Sequence, residues 1–115
     1  MVRRIVLINF GLVATQALTA GLLMSGSVRA LKLHAIAGLA LECGAFVQAI
    51  ATGTLWWRRR ASARVAGAGI GLFALVALQV GLGYSRRYWL HVPIGVLLFG
   101  ALMKQVDRPD TLQGN

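Results

Sequence analysis

Cysteine is nearly absent from this sequence: Cys43 is the single example, so no internal disulfide can form. Histidine is almost as scarce, at His34 and His91. One cysteine and two histidines are too few for a closed structural zinc site or an iron–sulfur cluster, each of which takes about four protein ligands. Acidic side chains are few too, with Glu42, Asp107 and Asp110 set against 12 Lys and Arg for a formal net charge of +9. Charged residues make up only 13% of the 115 positions and hydrophobic ones 57%, which excludes a water-soluble domain of this size.

What is present is four apolar runs, at 5–24, 33–57, 65–84 and 89–106, separated by breaks that carry Arg or Ser and Gly. Each is long enough to cross a hydrocarbon core as a helix, which takes about 20 residues. The expected fold is therefore all-α, an integral membrane four-helix bundle of up-down-up-down topology forming one domain over 1–115. Four crossings leave length only for short loops and a polar tail at 107–115, expected to fray, and none for a soluble catalytic head. Arg3 and Arg4 before the first run give it the look of a signal peptide. We read it as a retained first span.

The cations flank the apolar runs, where they meet anionic lipid headgroups, and this placement argues against nucleic acid as a partner. Arg3, Arg4, Arg58, Arg59, Arg60, Arg64, Lys104 and Arg108 fall on one side, and Arg29, Lys32, Arg86 and Arg87 on the other. Such an excess on the side of the termini predicts that both lie in the cytoplasm of a bacterial plasma membrane. Trp56 and Trp57 on one side and Tyr84, Tyr88 and Trp89 on the other suit headgroup-level anchors.

Two stretches repeat. Ala17-Leu18-Thr19-Ala20-Gly21-Leu22 is echoed by Ala77-Leu78-Gln79-Val80-Gly81-Leu82, and Leu33-His34 with Gly38 is echoed by Leu90-His91 with Gly95. The pattern predicts two parallel-repeat helical hairpins, with a site between the halves. Both histidines then open helices that run in the same direction, in one leaflet, on diagonal members of the bundle. An ionisable residue inside a membrane is a functional candidate by default.

Two imidazoles meet the needs of a heme, whose porphyrin supplies the other four ligands to iron. Gly38 and Gly95 lie one turn beyond the histidines on nearly the same face and leave room for a flat ring. Arg29, Arg86 and Arg87, with Lys32, lie in the two loops where propionates would emerge. Against zinc, Glu42 is eight residues beyond His34, roughly 12 Å deeper along the helix.

With His34 and His91 at the outer ends of its second and fourth helices, the chain resembles one four-helix half of heme A synthase. On Leu33-His34-Ala35 with Gly38, and on Leu90-His91-Val92-Pro93-Ile94-Gly95, it also resembles small four-span actinobacterial membrane proteins. The resemblance covers most of residues 5–106 and implies a heme b between His34 and His91, both as metal ligands. It does not imply hydroxylation of a heme methyl, because the glutamate and arginine that flank the helix-two histidine in the oxidising half are replaced here by Leu31 and Ala35.

The function so implied is electron transfer by a single-heme b-type cytochrome, with a quinol or a redox protein as partner, acting alone, as a homodimer or as a subunit of a larger complex. Glu42 and Gln79 are candidates for a proton or quinol site, Glu42 alternatively being a hydrogen-bonder to Gln16 or Gln48. Two other readings use the same span count: a small proton-coupled multidrug transporter with Glu42 as its shared site, and a non-catalytic accessory subunit. Cys43 is half a turn away from the His34 face, and Gly67-Ala68-Gly69-Ile70-Gly71 reads as a helix-packing segment and not a phosphate loop. Pro93 is expected in the first turn of the fourth helix.

Overall fold

The computed structural model of the chain describes residues 1–108 as four helices, α1 (Val2–Met24), α2 (Val28–Trp57), α3 (Ala63–Tyr84) and α4 (Tyr88–Val106). Most of the tail lies outside the described residues. All four helices are long and apolar enough to cross a membrane. They form an up-down-up-down bundle with a longest dimension of 48 Å. Neighbours in the ring are α1 and α2, α2 and α3, α3 and α4, and α4 and α1, which leaves α2 and α4 facing each other across the axis.

The helices start earlier than the apolar runs do, because Arg3, Arg4, Arg29 and Arg64 lie within first turns, and Lys32 at the start of a second, and do not precede the helices. Lys and Arg are good helix formers, and hydropathy does not mark where a helix begins. Pro93 consequently lies within α4, in its second turn, where its missing N–H leaves the carbonyl of Trp89 without a helical donor.

Three of the helices end in one motif. At the end of α1, Gly26 N–H donates to Leu23 O and Ser27 N–H to Leu22 O, with Gly26 at φ 95°. Arg59 and Arg86 take the same left-handed place after α2 and α3, at φ 56° and 57°. This is the glycine-type helix stop, and an arginine there costs about 1 kcal/mol more than glycine.

Burial shows the two hairpins to be copies. Val2, Val6, Asn9, Val13 and Thr19 are buried in α1, and the residues 63 positions later, Val65, Gly69, Leu72, Val76 and Leu82, are buried in α3. Leu41, Ala45 and Gln48 of α2 correspond in the same way to Leu98, Leu102 and Gln105 of α4, 57 positions on. The turns themselves align at 60, as Ser25 and Ser85 do. Each arm of the second hairpin is therefore three residues shorter, nearly one helical turn. Leu41 and Leu98 meet Val13 and Val76 in the central core.

Candidate functional site

His34 is the seventh residue of α2 and His91 the fourth of α4. Both are half-buried, and their ring centres lie 6.1 Å apart with planes inclined at 67°. The shorter second hairpin and the shared register along α2 and α4 bring the two rings to one level.

Each histidine is held twice by the preceding helix of its own hairpin. Gln16 Nε2 donates to His34 O at 2.6 Å, and Gln79 Nε2 donates to His91 O at 2.6 Å. The equivalent of Gln79 is thus Gln16, not Thr19, with which the turn-level repeat aligns it. The glycines serve this contact. A Cβ on Gly38 would stand 3.2 Å from Gln16 Nε2, and one on Gly95 would stand 2.8 Å from Gln79 Nε2. The room they leave is taken by amides of the neighbouring helices.

The second hold is on the rings. His91 Nδ1 lies 2.9 Å from Gln79 O, and since a carbonyl only accepts, Nδ1 carries the proton. Gly83 allows this approach, as its absent Cβ would be 3.1 Å from the His91 ring. His34 Nδ1 lies 3.0 Å from Thr19 Oγ1, whose own proton goes to Thr15 O at 2.8 Å. The hydroxyl is then the acceptor and His34 Nδ1 the donor. Both rings thereby present Nε2 as a lone pair, and among the described residues neither Nε2 has a hydrogen-bond partner. Tying back Nδ1 is the usual way a protein orients an imidazole that ligates through Nε2.

The residues present fit a six-coordinate iron. Two metal–imidazole bonds of about 2 Å, plus roughly 1 Å from each nitrogen to its ring centre, separate the ring centres by roughly 6 Å. A bare edge-to-face ring pair spans a similar distance. The difference lies in the polar atoms: a structural pair would use its remaining nitrogens, and these are open. No third His, Cys, Asp or Glu joins them among the described residues.

Arg29, Arg86 and Arg87 are exposed at the same end of the bundle, with Arg86 in the left-handed turn position. Glu42 is half-buried in mid-span and makes no hydrogen bond or ion pair among the described residues. The bond to Gln16 or Gln48 does not form, because Gln16 is engaged at His34 and Gln48 in a separate network. Cys43 is exposed.

That network lies 14 residues beyond the histidines, about 21 Å away. Asn9 Nδ2 donates to Gln48 Oε1 at 2.9 Å, and Gln48 Nε2 donates to Gln105 Oε1 at 2.7 Å. Thr52 Oγ1 donates to Gln48 O at 2.9 Å. Asn9 fits only because Gly44 has no side chain, and Thr52 only because Gly69 has none. Sequence reasoning passed over Asn9, Thr19 and Gln105, although a polar residue inside an apolar span was a signal for each.

The molecule is thus a membrane-type four-helix bundle with a cross-axis pair of imidazoles open at Nε2 at one end and a buried amide network, in which Asn9 Oδ1 alone is left without a partner among the described residues, at the other. No protein-family model, curated protein or solved structure matches the chain.

Proposed function

We propose that the chain is a small b-type membrane cytochrome that holds one heme b between His34 Nε2 and His91 Nε2. It would carry electrons within a bacterial plasma membrane, with both termini in the cytoplasm and the heme near the outer face. One observation carries the reading: two imidazoles whose centres lie 6.1 Å apart, each tied back through Nδ1 and each with Nε2 open.

The heme, when bound, supplies reversible one-electron chemistry at its iron. The chain's own residues do the rest. Thr19 and the Gln79 carbonyl fix the tautomers and orient the rings. Gln16 and Gln79 hold the backbone of the two histidines, so that the gap between them is set before anything binds. Arg29, Arg86 and Arg87 are placed to pair with propionates. Held by both His34 and His91, the heme would supply electron transfer and not oxygenation. A quinol or a redox protein is the fitting partner, and Glu42, an unpartnered carboxyl in mid-span, suits a proton acceptor for quinol oxidation.

The test is the visible spectrum of the protein purified from heme-replete cells. A reducible low-spin b-type spectrum with one heme per chain is expected, lost in His34→Ala and in His91→Ala while helix content is unchanged. A colourless protein whose transport of cationic drugs depends on Glu42 would replace this reading with the transporter.

A further inference from the structure

The two hairpins differ most at the end opposite the histidines. Between α1 and α2 the helices close on each other, Asn9 seating against Gly44. At the equivalent level of the second hairpin Leu72 stands for Asn9 and Ala101 for Gly44. There α3 and α4 part to leave a groove of about 310 Å³ with Gly67, Ala68, Gly71 and Ala101 in its wall. A Cβ on Gly67 or Gly71 would meet nothing within 4 Å, so these glycines are not needed for any contact inside the chain.

The rim of the groove carries Arg64 from α3, Lys104 from α4 and Arg108 just beyond the end of α4. Their counterparts in the first hairpin are Met1, Val47 and Ala51, so the three cations belong to this groove and not to the repeat. An apolar channel opening to the hydrocarbon, capped at headgroup level by cations from two helices, matches an acyl chain joined to a phosphate. A second copy of the chain is the other natural occupant, since Gly67 and Gly71 have the spacing of a helix-pairing motif. Isologous pairing through this face would bring Arg64 and Lys104 of the two copies together, and no Asp or Glu lines the groove among the described residues.

We infer that the groove between α3 and α4 is a binding site for one anionic phospholipid, its phosphate on Arg64 and Lys104 and an acyl chain along Gly67, Gly71 and Ala101. This site is independent of the histidine pair.

Native mass spectrometry of the full chain, released from mixed micelles containing phosphatidylglycerol and phosphatidylcholine, tests the inference. One retained phosphatidylglycerol per chain is expected. Lys104→Ala should weaken its retention about five-fold, the loss of one cation near a membrane surface. Gly71→Leu should abolish it by filling the channel without altering charge. Gly11→Leu, at an equally open glycine of α1, should leave it unchanged. Equal retention of the two lipids, retention unaffected by Gly71→Leu, or a dimer that Gly71→Leu dissociates would overturn the site.

Discussion

Along α2 and α4 the same register produces two cross-axis polar pairs, and they are treated in opposite ways. Gln48 and Gln105 are buried and bonded to each other, with Asn9 completing the chain. His34 and His91, four turns away, are half-buried and bonded outward to their own hairpins through Nδ1, and Nε2 of each is without a hydrogen-bond partner among the described residues. In lipid a polar group satisfied within the protein is structural glue, whereas one whose lone pair is held open is a place for something else. The amide network locks α1, α2 and α4 in register, and that register sets the level at which the imidazoles meet.

Breaking the closed pair should cost stability. Gln48→Leu removes the partner of both Asn9 Nδ2 and Gln105 Oε1 within a buried site, and a loss of about 3 kcal/mol is expected in detergent unfolding. The double variant Gln48→Leu/Gln105→Leu should recover part of that loss, because Gln105 Oε1 is then removed together with its donor. A double variant worse than the single would mean that packing, not pairing, dominates there.

Changes behind the open pair should cost ligand and little stability. Thr19→Val removes the acceptor for His34 Nδ1, and heme affinity, read by competition with apomyoglobin, should fall about 10-fold or more. Thermal unfolding of the heme-free protein should move far less than in Gln48→Leu.

The finest contrast is between the two backbone clamps. Gln16→Leu deletes a bond to His34 O and should cost about 1 kcal/mol. Gln79→Leu deletes the matching bond to His91 O, but it also removes Gln79 Oε1, a buried acceptor with no partner among the described residues. A cost nearer zero is therefore expected, and equal costs in the two variants would show that the orphaned oxygen carries no penalty.

Span count, topology and the ends of all four helices were legible because apolar runs stop where the chain must turn. The starts were not, since arginine and lysine continue a helix as readily as they end an apolar run. The histidine pair was legible from its repeated Leu-His and Gly spacing. Its supports were hidden by the three-residue shortening of each second-hairpin arm, which makes the sequences align best at the turns and pairs Gln79 with Thr19. Only the coincidence of buried positions, Val13 with Val76 and Gln48 with Gln105, reveals the register that pairs Gln79 with Gln16. The left-handed turns at Arg59 and Arg86 carry no residue-type signal, in contrast to Gly26.

Electron paramagnetic resonance of the oxidised, purified protein reads the iron's ligands directly. A single low-spin signal of a bis-imidazole heme, at one spin per chain and absent from both His34→Ala and His91→Ala, is the result expected of imidazoles poised 6.1 Å apart. A high-spin, five-coordinate signal, or one that survives either substitution, would contradict it.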